Sequence, residues 1–223
     1  MKIFIAGDST AANKAENKRP EAGWGEYLQD FFVPEVLVVN YAKNGRSTKS
    51  FITDGYLIQL AKEMVPGDFS FLQFGHNDQK LESPERGTLP FSTYQENLQQ
   101  MIDVCRAHQV TPIMLTSVTR RQYLNGQIDP TLLGDYPAAA METAKKNNLV
   151  CLDLHQATID FLNQFDDATS RQFFLQLQPG QHPNYPDGVM DNTHSNEKGA
   201  QQNAALVIEE LKKSAGELKN FLK

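Results

Sequence analysis

A chain of 223 residues can bury a substantial core, and we read residues 1–223 as one domain. A composition of 40% hydrophobic and 22% charged residues excludes fibrous and disordered classes. A formal net charge of -6 without a basic run argues against a nucleic-acid partner, and no apolar stretch approaches the ~20 residues that cross a bilayer, so no membrane partner is expected.

In chain order, residues 2–6 form a short apolar run ending at Gly7 and read as a first strand. Motif residues follow it too soon for a secretory leader, so the chain reads as cytoplasmic. Trp24, Tyr27, Leu28 and Phe31 have helical spacing, which predicts a helix over 23–32. Residues 36–40, 69–74, 111–116 and 149–152 read as four further strands. Their near-continuous apolarity suits strands covered on both faces. Between them, 92–108 reads as a helix capped by Ser92, with Tyr94, Leu98, Met101, Ile102 and Cys105 on one side. Residues 136–147 read as a helix with Pro137 in its first turn. A last helix spans about 197–213, with Ala200, Ala204, Val207, Ile208 and Leu211 on one face. This alternation implies right-handed βαβ units around a parallel sheet, an α/β fold. Residues 78–91 and 178–193 are long irregular stretches, where function often resides. Cys105 and Cys151 form no Cys-x-x-Cys pair, so we expect two plain thiols and no metal site.

Ligands of open parallel sheets bind beyond the carboxyl ends of the strands. Gly7-Asp8-Ser9-Thr10 follows the first strand, Asn44-Gly45-Arg46-Ser47 the second and Gly75-His76-Asn77-Asp78 the third. Together they offer a hydroxyl, a glycine N–H and an amide donor, the parts of an acyl-transfer site. A serine hydroxyl needs a neighbouring base. Of the five histidines, His108 reads as a surface or capping residue, His155 as a helix cap, and His182 as a loop residue. His194 lies in Asp191-Asn192-Thr193-His194, just before the last helix. A spacing of three in a helical turn puts carboxylate and imidazole on one side. Asp191 can then fix the tautomer that takes the Ser9 proton. The bland alternative is a helix-capping segment with Asp191 serving the helix dipole.

Those four blocks, in this order, resemble the SGNH (GDSL-like) hydrolase superfamily. Gly23-Trp24-Gly25, Asn44-Gly45-Arg46-Ser47, Ser117 to Arg121, and Tyr136-Pro137-Ala138 leading to Leu152-Asp153-Leu154 look most like rhamnogalacturonan acetylesterases. The resemblance implies a three-layer α/β/α sandwich on a five-stranded parallel sheet, flavodoxin-like in order. It implies Ser9 as nucleophile, His194 as base and then acid, and Asp191 as orienter. It also implies an oxyanion hole of the Ser9 N–H, the Gly45 N–H and the Asn77 amide, with Asp8, His76 and Asp78 in support. The substrate would be an acetylated pectic oligosaccharide, cleaved through an acyl-Ser9 intermediate with no cofactor. A galacturonate carboxylate suits an Arg fork, so Arg46, Arg120 and Arg121 are candidate contacts, with Tyr123 to stack on a sugar. The alternative reading gives each Arg an internal ion pair. Other acyl substrates (xylan acetyl, lipid or thioester) remain open, as do a metal-dependent phosphoesterase and a non-catalytic sugar-binding module. Comparing short with long esters, and adding a chelator, separates them.

Overall fold

The five apolar runs become five parallel strands, and their pairing sets where the loops meet. The computed structural model describes residues 1–223. In chain order the strands are β1 (Lys2–Gly7), β2 (Leu37–Asn40), β3 (Phe69–Gln73), β4 (Thr111–Leu115), the hairpin pair β5 (Tyr123–Leu124) and β6 (Gln127–Ile128), β7 (Cys151–Leu152), β8 (Phe174–Leu177) and β9 (Val189–Ser195). The helices are α1 (Thr48–Thr53), α2 (Tyr56–Ala61), α3 (Gln95–Ala107), α4 (Tyr136–Lys146), α5 (Leu154–Leu162), α6 (Asp167–Ser170) and α7 (Glu197–Lys213). The central sheet runs β2-β1-β3-β4-β7, all parallel. This is the flavodoxin-like order, and its switch point lies between β1 and β3.

Period-two alternation explains the continuous apolar runs. Ile3 and Ile5 of β1 join Phe71, Ile113 and Leu115 in one core, packed under Leu154 of α5 and Ala204, Val207, Ile208 and Leu211 of α7. Phe4 and Ala6 face the other way, into a core with Leu72, Met114, and Leu98, Met101, Ile102 and Cys105 of α3. Two apolar faces covered by helices make the three-layer α/β/α sandwich. No helix is long and apolar enough to cross a membrane.

Three local expectations are corrected. Residues 23–32 form two 3-10 turns, Trp24–Glu26 and Leu28–Phe31, and not an α-helix. The segment closes on bonds three residues back, Glu26 N to Gly23 O at 3.1 Å and Tyr27 N to Trp24 O at 3.2 Å, while the Trp24 and Gly25 N–H groups anchor it to Thr10 O at 3.0 Å and Ala11 O at 3.2 Å. A Cβ on Gly23 would sit 2.2 Å from Ala12 O, a backbone clash that reserves this position for glycine. Trp24, fully buried, fulfils its apolar spacing within the turns and donates its indole N–H to Gln73. Ser92 does not cap α3; it lies inside a π-helical turn, Pro90–Tyr94, that precedes it. The irregular stretch 178–193 ends in β9, antiparallel to β8.

Candidate active site

Ser9 sits on a turn that leaves the carboxyl end of β1. Asp8 shapes this turn: its Oδ1 accepts from Thr10 N at 2.9 Å and Thr10 Oγ1 at 2.7 Å. Its backbone oxygen accepts from Ala11 N and Ala12 N. Ser9 is only 8% exposed, yet its Oγ lies 2.9 Å from His194 Nε2. His194 Nδ1 lies 2.7 Å from Asp191 Oδ2. Hydroxyl, imidazole and carboxylate therefore stand in line, although Ser9 and His194 are 185 residues apart in the chain.

Asp191 and His194 meet by a different route from the expected helical turn. Phe174 pairs with Ser195 and Gln176 with Met190, so the four residues Asp191, Asn192, Thr193 and His194 stand opposite the single residue Leu175. Such a bulge re-aims side chains. Asp191 Oδ1 closes it by accepting from Thr193 N at 2.7 Å and His194 N at 2.9 Å. Burial pushes the Asp191 carboxyl up, but the hydrogen bonds from His194 and Thr193 outweigh it and bring the group down to about 2. Asp191 is thus a carboxylate across the whole range of ordinary assays. Helix α7 starts only afterwards, capped by Asn196, whose side chain accepts from Gly199 N.

Two further turns border Ser9. Lys43 N donates to Gly7 O at 3.0 Å, tying the turn after β2 to the end of β1. Gly45 there has φ +73, a left-handed conformation that favours glycine. Neither the Ser9 N–H nor the Gly45 N–H has an acceptor within the protein. After β3, Asn77 Nδ2 donates one hydrogen to Arg46 O at 3.0 Å, which leaves its second hydrogen available. Lys80 Nζ donates to Asn77 Oδ1 at 3.1 Å and fixes which end of the amide faces which way.

Asp78 pins these turns together, accepting from Thr48 N at 3.1 Å and Thr88 Oγ1 at 3.1 Å. Burial drives its carboxyl up to about 7 despite the Thr hydrogen bonds. Burial lowers His76 to about 4, helped by the Arg120 and His194 charges and opposed by Asp8. The two groups act in opposite directions on stability. Asp78 titrates higher folded than unfolded, so its contribution is present at low pH and is lost as pH rises through about 7. His76 titrates lower folded than unfolded, so acidification from about 6.5 to about 4 favours the unfolded chain. Asp78→Asn is therefore expected to remove the compensating slope. Urea unfolding at pH 7.5 and 4.5 should show the variant losing about 2–3 kcal/mol more than the parent on acidification.

The candidate substrate contacts divide. Arg120 is half-buried among neutral partners. Its Nε donates to His76 Nδ1 at 3.4 Å, and the Gln79 amide, oriented to donate to Leu132 O, offers its oxygen at 3.2 and 3.1 Å. Burial lowers the Arg120 value, with Asp8 and Asp191 opposing. Arg46 pairs with Asp54 at 2.9 Å without a linear hydrogen bond and lies 5.4 Å from the Tyr56 ring centre. Arg121 is corrected: it is 3% exposed and bound internally to Ser170, Asn192 and Asp167. Its own N–H donates to Asn192 O, so it braces the bulge and does not face a ligand. Tyr123 is corrected likewise, since its hydroxyl donates to the Leu162 and Phe165 carbonyls and its half-buried ring stands beside Arg121.

Sequence reasoning missed two cations on the same side. Burial, then Arg86 and Arg120, depress the Lys80 ammonium, with Glu82 and Asp8 opposing, which places both arginines in range of Lys80. Arg86 Nη1 also lies 4.0 Å from where a Cβ on Gly45 would be. Both belong to the irregular stretch 78–91, and its basic residues were the available signal. The remaining histidines stand elsewhere: His108 ends α3, His155 lies buried in α5, and His182 accepts from Asn184 N within its own loop. A cavity of about 590 Å³ between α5 and α7 includes none of these site residues; Asp153, Asp160, Glu209 and Glu210 line it.

A doubly wound parallel sheet bearing a hydroxyl–imidazole–carboxylate line at its carboxyl rim has the build of a serine hydrolase. The model of the GDSL-like lipase/acylhydrolase family matches residues 5–202, and the chain belongs to that family. It is 41% identical to rhamnogalacturonan acetylesterase RhgT of Bacillus subtilis, over 100% of this chain and 94% of that protein. It is 32% identical to the probable rhamnogalacturonan acetylesterase YesY of the same species, over 94% and 92%. Among solved structures, Axe2, an acetylxylan esterase from Geobacillus stearothermophilus, superposes with a TM-score of 0.68 at 16% identity, over 94% of this chain and 93% of that one. The protein is a carboxylic ester hydrolase, which sets aside the phosphoesterase and the non-catalytic module.

Proposed function

We propose that this enzyme removes acetyl groups from acidic, pectin-type oligosaccharides through an acetyl-Ser9 intermediate. His194 Nε2 takes the proton as Ser9 Oγ attacks the acetyl carbonyl. The Ser9 N–H, the Gly45 N–H and the Asn77 amide receive the oxyanion; losing one such donor typically costs ~100- to 1000-fold in turnover. When the intermediate collapses, the C–O bond to the sugar breaks and His194 returns its proton to the departing sugar oxygen. Water then attacks the acetyl carbon, losing its proton to His194, and acetate leaves with Ser9 Oγ reprotonated. Asp191 keeps the imidazole in the tautomer this sequence needs.

The choice of an acidic sugar rests on one observation. A chain of net charge -6 gathers Lys80, Arg86 and Arg120 around the turns that flank Ser9. Arg86 is already paired with Glu85 at 3.0 Å, whereas Arg120 hydrogen-bonds only to neutral partners, so Arg120 is the fork a uronate carboxylate suits. The two rhamnogalacturonan acetylesterase relatives support the same class. Acetate release from acetylated rhamnogalacturonan oligosaccharides, beside acetylated xylan, tests it. The acidic substrate is expected to be preferred, and equal rates would refute the assignment. Arg120→Gln should lower kcat/KM on the acidic substrate by about 10- to 100-fold, the scale of one charged hydrogen bond, with a much smaller loss on a neutral short ester.

A further inference from the structure

We propose that the buried Lys14 is a positioning residue that assembles the oxyanion-binding turns and the histidine segment around Ser9. The inference rests on the reading of Ser9 as nucleophile given above. The Lys14 ammonium has no exposed side-chain surface, and three oxygens surround it. It donates to Ser9 O at 2.6 Å and Asn44 Oδ1 at 2.7 Å, and it pairs with Glu21 Oε1 at 2.8 Å. Two of its three hydrogens are thus given to oxygens as hydrogen bonds, and the charge faces the Glu21 carboxylate.

Each of the three partners belongs to a different part of the site. Ser9 O lies on the peptide whose N–H, that of Thr10, is held by Asp8 Oδ1, so both ends of the Ser9–Thr10 peptide are fixed. Asn44 immediately precedes Gly45, whose N–H stands without an acceptor. Glu21 bridges Asn196 through its backbone, and Ala22 N donates to Ser195 O at 3.0 Å, next to His194. One buried cation thus joins the turns after β1 and β2 to the end of β9. Burying an ammonium costs several kcal/mol unless every hydrogen is matched, and such networks favour one arrangement over near alternatives. Oxyanion donors need that precision, because a displacement of ~1 Å can cost ~100-fold in rate.

The test measures kcat and KM on a short synthetic ester for Lys14→Met, Asn44→Ala and their double variant, with thermal unfolding alongside. Lys14→Met is expected to lower kcat by about 100-fold and leave KM within about threefold. Asn44→Ala, at an exposed residue that removes a single arm of the network, should lower kcat about tenfold. The double variant should lose less than the product of the two, because both act through the same turn. A Lys14→Met protein that melts earlier but turns over at the parental kcat would make Lys14 structural only, and a rise in KM alone would make it a substrate contact. Either result overturns the proposal. If Lys14→Met does not fold, an unchanged kcat in Asn44→Ala overturns it equally. Ser9→Ala, assayed in parallel, separates the two levels: activity without Ser9 removes the site reading itself, whereas a dead Ser9→Ala beside parental Lys14→Met and Asn44→Ala removes only the positioning role.

Discussion

Ser9→Ala is expected to lower ester hydrolysis by on the order of 10^4-fold or more while leaving the fold intact. Its Oγ shares one side-chain hydrogen bond, with His194 Nε2 at 2.9 Å, so its loss removes the proposed nucleophile and that single bond. The turn that carries it is held by Asp8, the main chain and Lys14, not by the hydroxyl. Thermal unfolding should therefore stay within a few degrees of the parent. Turnover above a few per cent of the parental rate would mean that another group carries the acyl transfer.

The second large effect is a graded one. His194→Ala should approach the loss seen with Ser9→Ala, since one leaves the hydroxyl without a base and the other removes it. Asp191→Asn should cost ~10- to 100-fold less, because an imidazole still faces Ser9. Geometry explains why the cost is large all the same. An Asn oxygen at the Oδ1 position can still accept from Thr193 N and His194 N and keep the bulge closed. Its amide then presents an N–H where Oδ2 now meets His194 Nδ1 at 2.7 Å. That turns Nδ1 into an acceptor, moves the ring proton to Nε2, and points a donor at Ser9. With the Asp191 carboxyl at about 2, loss of activity on mild acidification does not report protonation of Asp191. Equal effects of the two substitutions would require new roles for both residues.

Residue pattern carried the sheet because each strand is apolar on both faces, so Ile3 and Phe4 both count although they serve opposite cores. It carried α7 through the helical spacing of Ala204, Val207, Ile208 and Leu211, the face that packs into the core. It failed at 23–32 because apolar spacing does not separate an α-helix from two successive 3-10 turns, which close on bonds such as Tyr27 N to Trp24 O. The pairing of Asp191 with His194 was legible as proximity, but its bulge depends on the register against β8. Arg121 and Tyr123 read as ligand contacts because their partners, Asp167, Ser170 and Asn192 for one and the Leu162 and Phe165 carbonyls for the other, lie roughly 40–70 positions away. Lys14 gave no signal at all: only the fold brings residues 9, 21 and 44 to one ammonium.

The proposed mechanism requires an acyl group to pass through the Ser9 oxygen. Rapid acid quench during hydrolysis of an activated acetyl ester, followed by peptide mass mapping, reads this directly. A single acetyl on the peptide containing Ser9, absent from Ser9→Ala and accumulating in Asp191→Asn as deacylation slows, is the expected result. Acetate release at the parental rate with that peptide never modified, or with the label on a different side chain, would contradict it.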